Sequence, residues 1–162
     1  MTDERIAWTF KPTGDTRRHA ARVRIGERMA AMGQAPLFSD LSKRHLRKIA
    51  DVSAVASFGE GKELVKEGAA GSVFYVILEG KAKVTKKGKT VKRLGPGAFF
   101  GELAVIVGAP RTASVISETP IRCLTLSGRA LRGVLHDEPG LALKVLEHVA
   151  RRLIEQEHPL VG

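Results

Sequence analysis

Between Phe100 and Val115 the chain reads FGELAVIVGAPRTASV, which brackets a short apolar run with one carboxylate, Glu102, and one guanidinium, Arg111. Gly101 allows close backbone approach to a ligand. The run ELAVIV is long enough for one or two helical turns, so the free N–H groups at its start are suited to an anion. Arg111 follows a proline that fixes the chain and adds five donors with a permanent charge. Together these residues describe a pocket for one phosphate. Glu102 would repel that phosphate unless it faced hydrogen-bond donors on the same molecule, such as a sugar hydroxyl. A phosphate and a hydroxyl on one small molecule indicate a nucleotide. The same two residues also suit a simple ion bridge across a surface turn, and their chemistry leaves both readings open.

The surrounding elements follow from hydrophobic period. Thr16 is suited to cap a basic amphipathic helix through RRHAARVRIGERMAAMG, with Ala21, Ile25, Met29 and Met32 on one face and Gly33 as its stop. That stripe either packs on the protein's own body or a second copy, or meets a partner or membrane surface. PLFSDLSKRHLRKIA reads as a second helix, with Ser39 or Ser42 as cap and Leu41, Leu46 and Ile49 inward. From Val52 the period changes. VSAVASF, KELVKEG, SVFYVILEGKAKVTKKGKTVKRL, TASVIS and PIRCLTL are strand-like, and KKGK at 86–89 is a hairpin turn. Strands at such spacing form a small sandwich, barrel or jelly roll. The helical period returns after Leu126. Ser127 is a cap for GRALRGVLH, and Pro139 opens a longer helix with Ala142, Val145, Leu146, Val149 and Leu153 on one face, closed by Pro159.

The bracketed stretch closely resembles the phosphate-binding cassette of cyclic nucleotide-binding domains, the family of catabolite-activator-type regulators, kinase regulatory subunits and nucleotide-gated channels. Phe-Gly-Glu at its head, the ten-residue step from Gly101 to Arg111, and Pro-Arg-Thr-Ala-Ser-Val at its tail carry the likeness, which extends over about Leu37 to Glu157. The resemblance implies a mainly β fold: an eight-stranded, jelly-roll-like β-roll with N-terminal helices, a short cassette helix and C-terminal lid helices. It implies that Glu102 accepts the ribose 2′-hydroxyl and Arg111 pairs with the cyclic phosphate. Backbone N–H groups around Gly101, Leu103, Thr112 and Ala113 would complete the cradle. Thr112 bears on base choice: a Thr after the arginine suits the guanine amino group of cGMP, yet some members with Thr bind cAMP, so cAMP is expected and cGMP stays open. Val91 and Leu94 are expected as walls for the base, or else as strand packing. On the lid helix, Leu153 or Ile154 would cap the purine and Arg151 or Arg152 touch it. The chain departs from the family in lacking an aromatic cap and the Thr-Ser pair of catabolite activators.

The resulting organisation is a basic N-terminal extension over 1–35, a nucleotide-binding domain over 36–158 and a tail over 159–162. The 162 residues, 43% hydrophobic, suffice for one domain with a real core. No apolar run approaches the roughly 20 residues of a membrane span, no leader pattern opens the chain, and Cys123 has no second cysteine to bond, which together predict a cytoplasmic protein. The five histidines are scattered without metal-ligand spacing, and Ser114 and Ser117 lack a His-acid partner, so neither a catalytic nor a metal site is expected. No helix-turn-helix follows the lid helix, which points to a stand-alone sensor read by an unidentified protein partner through its terminal helices. The formal charge of +10, with 11 Lys+Arg against 5 Asp+Glu in residues 1–50, sustains a second expectation. In it, the basic N-terminal helix binds nucleic acid or an acidic partner. Oligomeric state is not legible, although the Met-Ile stripe is compatible with a helix-mediated dimer.

Overall fold

A computed structural model describes residues 25–157. Helix α1 (Ile25–Gln34), a 3-10 turn (Pro36–Phe38) and helix α2 (Lys43–Asp51) lead into strands β1 (Ala54–Phe58), β2 (Glu63–Val65), β3 (Val73–Glu79), β4 (Ala82–Lys86), β5 (Lys89–Leu94) and β6 (Phe99–Phe100). A six-residue helix α3 (Glu102–Val107) precedes β7 (Ser114–Ser117) and β8 (Ile121–Ser127), and helices α4 (Gly128–Asp137) and α5 (Pro139–Glu157) follow. The eight strands form two antiparallel four-stranded sheets, ordered β1-β8-β3-β6 and β2-β7-β4-β5. This is the β-roll with flanking helices expected from the sequence.

Side-chain alternation on β3 shows how the layers are built. Val73, Tyr75 and Ile77 point between the sheets, where they meet Leu64, Val115, Ile121 and Cys123. Phe74 and Val76 point the other way, into a second core with Met32, Phe38, Ile49, Leu131, Leu141 and Val145 from the helices. A strand covered on both faces must be apolar at every position, which is why VFYVIL reads as one continuous run. β8 divides in the same manner, with Cys123 facing the sheets and Leu124 and Leu126 facing the helices. Burial pushes the Cys123 thiol up to about 12, so it acts as a small hydrophobe.

The helices are set by local signals. Ser42 accepts from the His45 N–H at 3.3 Å and Ser127 from the Ala130 N–H at 3.1 Å, capping α2 and α4. The segment expected as one second helix divides at Ser39–Ser42, because Pro36 opens a 3-10 turn that buries Leu37 and Phe38 before the backbone re-aims. α1 runs through Gly33 to Gln34. Its stripe is covered by this chain: Met32 is fully buried, and Ile25 and Met29 pack on the same core. Arg28 fastens α1 to the end of α2 by donating to the carbonyls of Ala50 and Ser53, each at 3.0 Å. The Thr16 cap, the first turns of the basic helix, Pro159 and the 159–162 tail lie outside the described residues.

The face of α5 is rotated from the expected one. Leu141 and Val145 are buried, but Leu146 and Leu153 are 62% and 55% exposed. The chain instead turns His148 and Arg152 inward, on the same side as Val145 and Val149 by the 3.6-residue period. Lys144 holds the start of α5 to the 3-10 turn, with Nζ donating to the Pro36 carbonyl at 3.0 Å and lying 2.7 Å from Asp40.

Candidate functional site

A cavity of about 780 Å³ opens between β5, the 95–104 segment, residues 111–115 and α5. It lies within the roughly 300–1,000 Å³ span of small-molecule sites. Its wall carries five basic side chains, Lys86, Lys92, Arg93, Arg111 and Arg152, against two acidic ones, Glu102 and Glu155. The space therefore favours an anion.

Placement of Glu102 begins two residues earlier. β6 is only two residues long and escapes detection from period alone, yet it is pinned firmly to β3. The Phe100 ring stacks on Tyr75 at 4.8 Å and Phe99 meets Phe74 at 5.6 Å. Backbone bonds from Ile77 N to Ala98 O and from Gly97 N to Ile77 O, both 2.8 Å, complete the attachment. The chain then turns at Gly101, whose φ of 92° is in the left-handed region. A Cβ there would lie 2.7 Å from both Arg111 Nη1 and the Val73 carbonyl oxygen. Only glycine lets the guanidinium come so near. Gly101 caps α3, so Glu102 is its first residue and Leu103 and Ala104 share its first turn, where N–H groups have no intrahelical acceptor.

Arg111 is 5% exposed, with Nη2 donating to the Val73 carbonyl at 2.9 Å and Nη1 to the Gly101 carbonyl at 3.2 Å. These two carbonyls orient the group. Burial pulls its pKa down to about 10, still well above neutrality. Its backbone is fixed as well, with Arg111 N bonded to Ala69 O and Gly68 N to Arg111 O, each at 2.8 Å.

Glu102 has no exposed surface. One oxygen, Oε1, accepts from Arg152 Nη1 at 2.9 Å and lies 3.9 Å from His148 Nε2. The other, Oε2, is buried without a hydrogen-bond partner. A carboxylate oxygen held out of water in this way needs a donor, at a cost of about 1–3 kcal/mol or more while it lacks one. The carboxylate thus serves two directions: Oε1 holds α5, and Oε2 is open to a donor in the cavity. The His148 ring meets Phe99 at 4.3 Å in a tilted arrangement, extending the Phe74–Phe99 pair to α5. Burial lowers the His148 pKa, Glu102 opposes the shift, and Arg152 and Lys92 add to it.

The cavity wall brings together Gly101, Glu102, Leu103, Arg111, Thr112 and Ala113, with Val91 and Leu94 on the β5 side. Val91 reaches it through a β-bulge, since Val84 pairs with Lys92 and Thr85 with Thr90, leaving Val91 unpaired and 57% exposed. Arg151, Leu153 and Ile154 do not line the cavity; all three are exposed, turned away by the rotation of α5. The α5 residues that reach it are His148, Arg152 and Glu155. Their spacing of i, i+4 and i+7 sets them on one side of the helix, among other charged residues (Lys144, Glu147, Arg151) from which period alone does not single them out. Ser114 and Ser117 serve as loop anchors, accepting from Glu67 N at 2.9 Å and Lys62 N at 2.8 Å.

The fold and site define a class: an antiparallel β-roll with an anion cradle, whose C-terminal helix is tied to the cradle's own carboxylate. The sequence pattern described as the cyclic nucleotide-binding domain matches residues 55–138, about half of the chain, and the protein belongs to that family. It is 31% identical over 143 residues to a cGMP-dependent protein kinase of Eimeria tenella, covering 88% of this chain and 14% of that protein. Over 108 residues it is 35% identical to a cAMP-dependent protein kinase regulatory subunit of Mucor circinelloides, covering 64% of this chain and 25% of the subunit. The regulatory domain of Toxoplasma gondii PKA, crystallised with cAMP, superposes with a TM-score of 0.70 at 25% identity, covering 83% of this chain and 52% of that one. The chain thus spans a quarter or less of these two curated relatives.

Proposed function

We propose that the chain is a regulatory module that binds a cyclic nucleotide in the Glu102–Arg111 cavity and signals through α5. The observation that carries this reading is the buried Oε2 of Glu102, an acceptor without a donor in a cavity whose charged walls favour an anion. A ribose hydroxyl donates to Oε2. The singly charged phosphate takes the place opposite Arg111, beside the free N–H groups of the first α3 turn and the backbone at Thr112 and Ala113. Val91 and Leu94 flank the base. Because Oε1 already holds Arg152, ligand and helix share one carboxylate, and a change at either is felt by the other. The ligand shifts α5 only by its difference in affinity for the docked and released helix. The exposed edge of α5, with Leu143, Leu146, Leu153 and Ile154, is the surface that a protein partner would read.

cAMP is the favoured ligand, with cGMP kept open by Thr112 and by relatives named for either nucleotide. The module is regulatory rather than catalytic, and cytoplasmic. The test is calorimetric titration of nucleotide-free protein with cAMP and cGMP, alongside Glu102→Gln and Arg111→Ala. Charge-assisted hydrogen bonds contribute about 1.5–3 kcal/mol, so each variant should weaken binding by roughly 10–150-fold. No heat with either nucleotide, in folded protein freed of carried-over ligand, would refute the reading.

A further inference from the structure

The β4–β5 hairpin accumulates charge in a way its own stability does not explain. From Lys81 to Phe100 the sequence holds seven basic residues and no acid. The register sets Lys83 opposite Arg93 and Lys86 opposite Lys89. Like charges directly across a ladder destabilise it. At the tip, Lys87 and Gly88 have φ of 50° and 77°, the pattern of a type I′ turn, and Lys87 is the only non-glycine with positive φ among the described residues. Asn, Asp or Gly are the favoured residues there, and lysine bears the steric cost without their compensations.

Protection of an exposed sheet edge is the ordinary use of lysine, and it accounts for those on β5, the outer strand. Lys86, Lys92 and Arg93 belong to the cavity wall. Neither use accounts for Lys83 on β4, which is paired on both sides by β7 and β5, nor for a strained lysine at the turn. Two carboxylates reach the hairpin: Glu118 lies 3.2 Å from Arg93, and Glu67 accepts from the Lys87 backbone N–H at 2.9 Å. Lys81, Lys83, Lys86, Lys89 and Lys92 have no ion pair among the described residues.

We infer that Lys81, Lys83, Lys87 and Lys89 of this hairpin, none of which lines the nucleotide cavity, form a second binding surface that docks on the phosphodiester backbone of a nucleic acid duplex. A two-stranded ribbon fits the major groove. The hairpin has no aromatic residue to stack on bases, so contact is through phosphates and indifferent to sequence. Its tip, Thr85 to Thr90, is Thr-Lys-Lys-Gly-Lys-Thr, with no apolar side chain to enter a bilayer.

The test is fluorescence anisotropy of a short mixed-sequence duplex titrated with the full chain over a potassium chloride series. The comparison is a Lys83→Gln, Lys87→Asn, Lys89→Gln triple variant, none of whose positions line the cavity. If all three lysines meet phosphates, the slope of log K against log salt should flatten by about 2.7. Lys87→Asn alone should raise the melting temperature while weakening duplex binding. That divergence is not produced by a purely structural lysine. A triple variant with the wild-type slope would overturn the inference. So would a Lys87→Asn protein that is more stable but binds duplex unchanged. Hairpin-dependent binding to phosphatidylserine vesicles without duplex binding would overturn it in favour of a membrane surface.

Discussion

Replacing Gly101 by alanine tests the geometry on which the whole site depends. Two separate penalties arise there. The φ of 92° disfavours any residue with a Cβ, at about 1–2 kcal/mol. The new methyl would also stand 2.7 Å from the Val73 carbonyl oxygen and from Arg111 Nη1. Neither neighbour yields easily, because the carbonyl belongs to a central strand and Arg111 is bonded to that same oxygen. Overpacking of this kind costs about 1–3 kcal/mol more. Gly108 supplies the control, since it also has positive φ, 73°, but nothing stands within 4 Å of its missing Cβ. Gly108→Ala should therefore lose only the conformational part, and Gly101→Ala about 2–5 kcal/mol. At roughly 2–4 °C per kcal/mol for a domain of this size, the two melting temperatures should drop by about 2–8 °C and 4–20 °C. Thermal unfolding by circular dichroism separates them, and urea titration checks that the m-value is unchanged. Equal losses at the two glycines would refute the claim that close approach of Arg111 is what reserves Gly101.

The Glu102–Arg152 pair should be energetically coupled: in a double-mutant cycle of Glu102→Gln and Arg152→Met without ligand, unfolding should reveal an interaction of about 0.5–3 kcal/mol. Strict additivity would mean that the helix is not held by the carboxylate. His148 should make stability pH-dependent. Its folded pKa lies below the usual value, chiefly through burial, so its contribution is complete above about pH 6.5 and declines as pH falls toward the folded value. His148→Gln should flatten that decline in a melting series between neutral and mildly acidic buffer, and an unchanged pH profile would refute it. Ile49→Ala, at 1% exposure in the core shared by helices and β3, should cost about 2–5 kcal/mol by denaturant unfolding.

Elements whose signals are local were legible in advance. Ser127, and Ser42 as one of the two caps offered for its helix, fulfil that role because a hydroxyl three residues before a free N–H is a contact within one turn. Lys87-Gly88 turns the β4–β5 hairpin because a two-residue loop needs positive φ at both positions. The cassette from Gly101 to Ala113 was equally visible, since glycine, carboxylate and arginine lie within a dozen residues. β6 was not. Two residues show no period, and the strand exists because Phe99 and Phe100 find rings on β3 more than twenty positions earlier.

The sequence by itself determined the class of fold and put Glu102 and Arg111 forward as a pair, and both line the cavity. Tertiary structure alone decided which side of α5 turns inward, and with it that His148 and Arg152 line the cavity beside the carboxylate of Glu102 while Leu153 and Ile154, expected over the purine, stay exposed. Helical period specifies which residues share a face, because that depends only on bonds within four residues. Which face is buried depends on what stands opposite, and here that is a buried carboxylate fifty positions away, which accepts from Arg152.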